Sequence, residues 1–431
     1  MKFLKFFLSV LIVSSVLLMS CSSTPKPKSG SLKVPEDYFG MLHAGMNENQ
    51  YELINDMNIE WLLYTFNWHS IEPERGVFNF DYYDQFVDLA KSNGKKIMVT
   101  LGYAANWVTS AQGKNRYVSK EFLPDYLNYV GLLVERYKGK VDAWQIWNEP
   151  NFVFWRGSDR EFFELTRLAA QKIRDTDPDA YIVGGGLWRT PAGFLKGMHR
   201  AGSLENCDAI SFHPYAMSPG GSMKLHDSLL KVISEIDFKG DVWINEVGYP
   251  TGGMYPTSVS LENFPSHTVK TIVGLACRKS VGMMWYEFSD RRNLGEAPKN
   301  ASSEYFFGLT YPDGTRKAAS YAYQLCSRYL PGSTYTPQNP VRHSNVPSSI
   351  ASFCFLENTL GSNVLVLWND RKSTQRIKVT LSSPFTMHNI SDGTNTVIED
   401  NSVINVSHVP VFITWEGTAT PQISRVSGNQ N

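Results

Sequence analysis

Short apolar runs alternate with amphipathic segments along residues 38–330. The apolar runs have the length and composition of buried β-strands. Between them, apolar residues recur three and four positions apart, which is typical of helices that bury one face. The eight predicted strands cover residues 38–43, 60–66, 96–101, 141–147, 181–185, 209–213, 241–246 and 282–288.

Helix start signals support this division in two places. Ser158 and Glu161 stand ahead of an apolar-periodic segment at the spacing of a capping box. Thr190 places a capping hydroxyl before Pro191, and proline is favoured at the first helical position. We therefore predict helices that begin directly after Ser158 and directly after Thr190.

Eight strand–helix alternations favour a closed (β/α)8 TIM barrel over an open doubly wound sheet. No GxGxxG or Walker motif follows the first predicted strand, so nothing favours a nucleotide-binding sheet. After residue 331 the pattern changes to short β-rich runs separated by Gly, Asn, Asp and Ser. We predict an α/β protein with a barrel over 38–330, an antiparallel β-sandwich over 331–417 and a frayed tail over 418–431.

The N-terminal residues carry the pattern of an exported chain. Lys2 and Lys5 precede the apolar run 6–19, and Cys21 follows a small residue. This resembles a bacterial lipoprotein signal, which implies that residues 1–20 are removed and Cys21 carries a lipid. An ordinary signal peptide with a chance cysteine stays open. Residues 21–37 are then a flexible tether, and the expected location is the bacterial cell envelope, with the lipid in the membrane at the periplasmic face or outer surface.

Composition excludes several classes of protein. Acidic and basic residues number 41 each, so no basic surplus exists to bind nucleic acid. With 42% hydrophobic residues, the chain is not disordered. The cysteines after Cys21 show no metal-ligand spacing, and neither HExxH nor GxSxG occurs. We predict no metal, no organic cofactor and buried free thiols, while a disulfide between Cys326 and Cys354 stays open.

Two glutamates end predicted strands at the face where TIM barrels carry their chemistry. Glu149 follows the fourth predicted strand, and Glu246 ends the seventh. Because the strands are buried, each carboxyl group is expected to point into the mouth of the barrel. Two carboxyl groups that face one another across a cleft are the minimal equipment for glycoside hydrolysis. The sequence therefore predicts a carbohydrate substrate.

Neighbouring side chains fit the same chemistry. Asn148 is placed to bond a sugar hydroxyl next to the reacting carbon, and His213 and Tyr215 are placed to orient the second carboxylate. Trp285 in the eighth strand is expected to form a floor for the sugar ring, since aromatic faces stack on sugars. The other candidates for sugar contact are Trp68, Trp107, Trp155 and Glu287. For Glu287, pairing with a nearby arginine stays open as a purely structural role.

The motif WNEP at 147–150 resembles the acid/base signature of the clan A glycoside hydrolases, which are retaining enzymes on a (β/α)8 barrel. The motifs WNEP, HPY, NEVG and WYEF follow one another along the chain. Residues 101–107 and 147–155 look most like family 39, which includes β-xylosidases and bacterial exopolysaccharide hydrolases. The resemblance implies that Glu149 is the general acid/base and Glu246 the nucleophile. In many clan members an arginine on strand two touches the nucleophile, and residues 61–64 supply none here.

The main hypothesis is therefore a retaining β-glycoside hydrolase. A transglycosylase on the same machinery, and a surface protein that only binds glycans, remain as alternatives. A third alternative is that both glutamates are purely structural, with each carboxylate paired to an arginine of the barrel. Intact glutamates at both strand ends count against the protein that only binds glycans, and the order of the motifs and their flanking residues count against a purely structural role.

Overall fold

A closed parallel barrel forms the larger part of the protein. The computed structural model describes residues 30–108, 115–253, 258–293, 295, 301–337 and 340–426. The predicted signal peptide, Cys21 and most of the predicted tether lie outside these residues. The barrel strands are β1 (Phe39–Leu42), β2 (Trp61–Phe66), β3 (Lys96–Leu101), β4 (Ala143–Ile146), β5 (Ile182–Trp188), β6 (Ala209–His213), β7 (Asp241–Val247) and β8 (Gly282–Trp285), and β8 pairs with β1 to close the ring.

Helices cover the outside of this ring, as the amphipathic segments predict. They are α1 (Tyr51–Asp56), α2 (Trp68–Ile71), α3 (Asp81–Ser92), α4 (Leu123–Arg136), α5 (Asp159–Thr176), α6 (Ala192–Arg200), α7 (Pro219–Glu235), α8 (Phe264–Ala276) and α9 (Ala318–Tyr329). None of the helices in the described ranges is long and apolar enough to cross a membrane. The TIM barrel prediction is confirmed.

The two predicted helix starts have different outcomes. At α5 the capping box is present: the Ser158 hydroxyl accepts a hydrogen bond from the Glu161 backbone N–H, and the Glu161 carboxylate accepts one from the Ser158 N–H. At α6, Pro191 is the cap residue and the helix begins at Ala192. The Thr190 hydroxyl donates to the backbone carbonyl of Leu225 instead of capping. The predicted start is therefore one residue too early.

The C-terminal region forms two sheets around a second apolar core. The strands are β9 (Thr334–Tyr335), β10 (Arg342–Ser344), β11 (Ile350–Leu356), β12 (Ser362–Asn369), β13 (Gln375–Thr380), β14 (Phe385–His388), β15 (Asn395–Ile398), β16 (Ser402–Val406), β17 (Val411–Glu416) and β18 (Gln422–Arg425). One sheet has the order β9-β11-β12-β17-β14-β15, and the other has the order β10-β18-β13-β16. All pairs are antiparallel except β10–β18, which is parallel.

The structure differs from two predicted boundaries, because isolated apolar residues are buried there: Ile423 in this second core, and Val34 in the larger core that includes the barrel. Residues 418–431 were expected to form a tail, but β18 lies within them and pairs with β13, with Ile423 buried. The tether over 21–37 was expected to be unstructured to its end. In the structure Leu32–Lys33 extends the larger sheet as an edge strand against Thr334–Tyr335, and Val34 is buried.

The four cysteines after Cys21 are Cys207, Cys277, Cys326 and Cys354. All four are free and buried in the structure, as the sequence predicts. Burial raises the pKa of the Cys207 thiol to about 12, because a thiolate would lose its hydration there. The open disulfide between Cys326 and Cys354 is absent from the described residues.

A buried ion pair ties the segment after β8 to the start of α9. The Lys317 ammonium group lies 2.7 Å from one carboxylate oxygen of Asp290, and both side chains are only 2% exposed. Lys317 also donates to the Thr251 hydroxyl in the segment after β7. Asp290 accepts a further hydrogen bond from the Gly308 backbone N–H. Three segments at the mouth of the barrel are therefore held by one pair of charges.

We expect Lys317→Met to lower the free energy of unfolding by about 3–5 kcal/mol, because the variant leaves the Asp290 carboxylate buried without its partner. Urea unfolding followed by circular dichroism measures the loss. Lys140→Met is the matched control, since the Lys140–Asp88 pair is 52% and 67% exposed. We expect this control to lose less than about 1 kcal/mol. Equal losses in the two variants would contradict the role given to the buried pair.

Candidate active site

The turn after β4 brings Glu149 back over the barrel mouth. Trp147 and Glu149 both have positive φ, 65° and 41°, which is uncommon for residues other than glycine. Hydrogen bonds to the two neighbouring strands hold this turn: the Trp147 N–H donates to the carbonyl of Leu101, and the Glu149 N–H donates to that of Gly186. The backbone of β3 and β5 thus fixes the direction of the Glu149 side chain.

Glu149 and Glu246 meet at this mouth, as the sequence predicts. Each has a carboxylate oxygen within 4.8 Å of the other's, with an imidazole nitrogen of His213 in the same cluster. His213 Nδ1 lies 2.8 Å from Glu149 Oε1 and 3.7 Å from Glu246 Oε2. The Tyr215 hydroxyl donates to Glu246 Oε1 at 2.7 Å. Four predicted site residues are therefore in one cluster.

Burial raises the pKa of both carboxyl groups. It raises the pKa of Glu149 to about 8, and the negative charge of Glu304 adds to this. Burial also raises the pKa of Glu246 to about 7, with the charge of Glu149 adding to the rise and His213 and Tyr215 opposing it. When the pair holds a single proton, that proton therefore resides mainly on Glu149. Burial lowers the pKa of His213, so its imidazole is neutral between the two carboxyl groups.

A layer of buried polar side chains lies beneath the two glutamates. Gln145 on β4 donates to the Thr100 hydroxyl at 3.0 Å. Its carbonyl oxygen accepts from the Ser211 hydroxyl at 2.7 Å and from the Asn245 amide at 2.5 Å. Because these four residues come from β3, β4, β6 and β7, the network fixes the spacing of the strands that carry Glu149 and Glu246. Gly186 borders it, where a Cβ atom would lie 2.8 Å from Gln145 Nε2.

Asn148, the predicted partner of a sugar hydroxyl, is partly exposed beside Glu149. Its side-chain amide interacts with the hydroxyl of Tyr103, which follows β3. The Tyr103 ring stacks on Phe154 and meets Trp147 edge to face. Tyr103 is an aromatic residue of a βα loop, recognisable from its position just after the third predicted strand, and its contact with Asn148 brings it to the site.

Glu304 is a third carboxylate at the site, and no sequence signal marks it. It lies on a short 3-10 helix, Ser303–Tyr305, in the long segment after β8. The Tyr286 hydroxyl donates to Glu304 Oε2 at 2.9 Å and accepts from Arg291 Nη2 at 2.7 Å. The charge of Glu304 raises the pKa of both Glu149 and Glu246. It therefore contributes to keeping the pair protonated.

The predicted sugar floor at Trp285 is wrong. Trp285 is fully buried, and its ring packs against Phe264 of α8 and Tyr249 on the outside of the barrel. Because side chains alternate along a strand, the neighbouring residue Tyr286 faces the interior instead, beside Phe307. An aromatic ring therefore lies in the barrel interior one residue after the predicted position.

Two of the three loop tryptophans are core residues rather than sugar contacts. Trp68 is fully buried, donates to the Glu72 carboxylate at 2.6 Å and stacks on Tyr129. Trp155 is 5% exposed and donates to the Ser158 carbonyl. The prediction of sugar contact is wrong for both.

Trp107, the third loop tryptophan, keeps part of its ring exposed. Its indole N–H donates to the backbone carbonyl of Glu72, and its ring packs edge to face on Trp68. These contacts brace the loop after β3 against the loop after β2. Sugar contact at Trp107 remains a prediction.

Glu287 pairs with an arginine, the structural role that the sequence analysis left open for it. Its carboxylate is buried, and Oε2 lies 2.6 Å from His43 Nδ1 and 3.0 Å from Arg291 Nη2. Its Oε1 is also buried and has no hydrogen-bond partner among the described residues. In this arrangement Glu287 Oε2 organises the mouth of the barrel near β1, while sugar contact through Oε1 remains a prediction.

The donor atoms of Glu149, His213 and Glu246 also suit a divalent cation, since two carboxylate oxygens and one imidazole nitrogen lie within 4.8 Å of one another. The same three groups suit proton transfer, which needs one protonated and one ionised carboxyl group and no metal. The Tyr215 hydroxyl donates to Glu246 and not to Glu149, so the two carboxyl groups have the unequal surroundings that the second use requires.

Comparison of sequences finds similarity around the Glu149 segment. The model of glycosyl hydrolase family 10 matches residues 41–158. Endo-1,4-beta-xylanase A of Phanerodontia chrysosporium is 30% identical over 160 residues, which are 34% of this chain and 38% of that protein. Endo-1,4-beta-xylanase 3 of Hypocrea jecorina is 32% identical over 143 residues, which are 30% of this chain and 40% of that protein. The chain thus spans well under half the length of these curated relatives.

Comparison of structures covers nearly the whole chain. A family 39 glycoside hydrolase from Bacteroides cellulosilyticus aligns with a TM-score of 0.71 at 20% identity, covering 88% of this chain and 81% of that one. A monomeric beta-xylosidase from Caulobacter crescentus aligns with a TM-score of 0.65 at 14% identity, covering 90% and 97%. The barrel and its C-terminal antiparallel sheets are therefore a fold that these enzymes share.

We expect Glu149 in the wild-type protein to titrate near pH 8 rather than near its ordinary value. In Glu304→Gln the pKa of Glu149 should fall toward that ordinary value, because a negative charge is removed while the burial remains. Carbon-13 NMR of labelled glutamate side chains follows the titration. Glu235→Gln, at a surface carboxylate that pairs with Lys196, should leave the Glu149 curve unchanged. An unshifted Glu149 curve in Glu304→Gln would count against the assigned electrostatics.

Proposed function

We propose that the protein is a retaining β-glycoside hydrolase with Glu149 as general acid/base and Glu246 as nucleophile. The observation that carries this proposal is the close approach of two buried carboxyl groups, within 4.8 Å at their nearest oxygens. Retaining glycosidases hold their carboxyl groups about 5–5.5 Å apart, whereas inverting enzymes leave about 6.5–9.5 Å for a water molecule. The gap here has no room for that water.

In the first step Glu149 gives its proton to the glycosidic oxygen while Glu246 attacks the anomeric carbon. The bond between that carbon and the oxygen breaks, the leaving-group sugar departs with the proton, and an ester to Glu246 forms. The raised pKa of Glu149 keeps the proton in place before substrate binds. The lower pKa of Glu246 makes it the member of the pair that ionises first.

In the second step Glu149, now a carboxylate, takes a proton from water, and the water oxygen attacks the anomeric carbon. The ester bond breaks and Glu246 returns as a carboxylate. Esterification removes the negative charge of Glu246, so the mutual repulsion of the two groups ends and Glu149 ionises more easily. The same carboxyl group thus acts first as acid and then as base.

Neighbouring residues position this pair. Tyr215 donates to Glu246 Oε1, which leaves the other oxygen for attack and stabilises the ionised form. The neutral imidazole of His213 separates the carboxyl groups without neutralising either one. Asn148, partly exposed next to Glu149, is the group we assign to the sugar hydroxyl beside the reacting carbon. Such a bond accelerates the reaction where it is strongest in the transition state.

We assign the substrate to β-linked xylose-containing oligosaccharides or polysaccharides. The endo-1,4-beta-xylanases that match in sequence and the beta-xylosidase that matches in structure support this choice. The proposal also includes the location: a lipid on Cys21 would hold the enzyme in the bacterial cell envelope, as the pattern of residues 1–21 implies.

Glu246→Ala should lose activity on aryl β-xylosides by at least about 1,000-fold, because no covalent intermediate can form. Sodium azide should restore turnover, since the cavity left by the side chain admits a small anion that attacks the anomeric carbon. The product should be a glycosyl azide of inverted configuration, identified by proton NMR. Glu235→Ala should keep wild-type activity and show no azide effect.

This experiment also separates the alternatives. Sugar transferred to an added acceptor in preference to water would identify a transglycosylase on the same site. Glycan binding by the wild type, without turnover of xylosides or xylan, would contradict the proposal and identify a binding protein.

Glu149→Gln should lose about 100-fold to 10,000-fold on xylosides with poor leaving groups, because the acid that protonates the glycosidic oxygen is absent. On activated aryl xylosides such as the dinitrophenyl xyloside, the first step needs no proton, and the loss in that step should be small. Burst kinetics separates the two steps and measures the first. A loss of the same size on both substrates would argue against the acid role of Glu149.

A further inference from the structure

An exposed aromatic stack lies on the loop that follows the acid/base. The rings of Phe152 and Trp188 are stacked at 4.2 Å between centroids and 10° between planes. Phe152 remains 39% exposed, although it is a large apolar side chain. Because the two rings cover one face of each other, the other face of Phe152 is available to a further ring. We call Phe152, Trp188 and Arg189 the aromatic platform.

The aromatic platform is held in place on both sides. The Asn151 side chain donates to the Trp188 carbonyl and accepts from the Trp188 N–H, each at 2.9 Å. These two bonds join the loop after β4 to the end of β5. The Arg189 guanidinium lies 5.4 Å from the centre of the Trp188 ring, within the range of a cation–π contact.

The aromatic platform is also connected to the catalytic groups. The Phe152 N–H donates to the backbone carbonyl of Glu149 at 3.1 Å. On the other side, the Arg189 N–H donates to the carbonyl of His213 at 3.0 Å. The platform therefore begins at the turn that carries the general acid, away from Glu246 on β7.

We propose that the aromatic platform binds the leaving-group sugar, with the face of that sugar stacked on Phe152. This inference rests on the proposed function, because it takes Glu149 as the acid. The acid must reach the glycosidic oxygen, which stays with the leaving-group sugar, so the surface that continues from the acid is the surface nearest that sugar. The apolar C–H face of a β-linked sugar ring suits an exposed aromatic ring.

The burial of other aromatic residues supports the assignment of the sugar contact to Phe152. Trp68, Trp155 and Trp285 are held in the core, so they offer no face to a sugar. Phe152 buries part of its surface on Trp188 and leaves the rest to solvent. The double hydrogen bond of Asn151 holds the loop that carries Phe152 against the backbone of Trp188, which reduces the backbone freedom that is lost when a sugar stacks on Phe152.

The test compares two xylosyl donors with different leaving groups. Xylotriose has a sugar in the leaving-group position, whereas β-xylosyl fluoride has a single fluorine atom there, which cannot reach the platform. In Phe152→Ala, kcat/KM for xylotriose should fall about tenfold or more, mainly through KM. The value for β-xylosyl fluoride should stay within about twofold of the wild type. Phe152→Tyr, which keeps the ring, should retain most of the activity on xylotriose.

A matched control removes an exposed apolar side chain elsewhere. Leu360 is 54% exposed in the loop between β11 and β12, and Leu360→Ala should leave both substrates unaffected. Equal losses on xylotriose and on the fluoride in Phe152→Ala, or no loss on either, would overturn the proposed role of the platform while leaving the hydrolase intact. Absence of wild-type activity on xylotriose, on the fluoride and on xylan would overturn the hydrolase itself, and this inference with it.

Discussion

The burial of two carboxyl groups side by side is the constraint on which the rest of the site depends. Neither group can ionise freely away from water, and each makes ionisation of the other harder. The negative charge is more stable on Glu246 than on Glu149, because the Tyr215 hydroxyl donates a hydrogen bond to Glu246. Glu304 adds repulsion on both. Two chemically identical side chains thus differ in how readily they ionise.

The barrel supplies the rigidity that this arrangement requires. The Gln145 network spans four strands beneath the glutamates, and the turn after β4 is fixed by backbone hydrogen bonds to β3 and β5. At the rim, Lys317 and Asp290 hold the segments around Glu304. Polar side chains take the place of apolar packing where the strands end, so the mouth keeps its shape while it stays polar enough for a sugar.

Sequence reasoning predicted the parts of the fold and site that have a local signal. Each barrel strand overlaps an apolar run, and the strand-end rule selected Glu149, Glu246, His213 and Tyr215, which the structure brings together. The rule failed at Trp285, because a shift of one residue along a strand exchanges the interior for the exterior.

Other features have no local signal at all. Glu304 comes from an irregular segment whose position depends on a distant ion pair, and the strand Gln422–Arg425 is recognisable only from its neighbours in the sheet. The stacking of Phe152 on Trp188 likewise joins two loops that are 36 residues apart in sequence. Such contacts follow from the assembled barrel, so they could not be predicted from periodicity or motifs.

The pairing of the first strands has a consequence for how the chain is made. Strand β1 closes the ring only against β8, through Phe39 and Met283, and Leu32–Lys33 pairs only with Thr334–Tyr335. During synthesis β1 can pair with β2 on one edge as soon as β2 has emerged from the ribosome. Its other edge, and the strand Leu32–Lys33, have no partner until almost all of the ring has been translated, so closure of this domain is completed late and depends on contacts between distant parts of the chain.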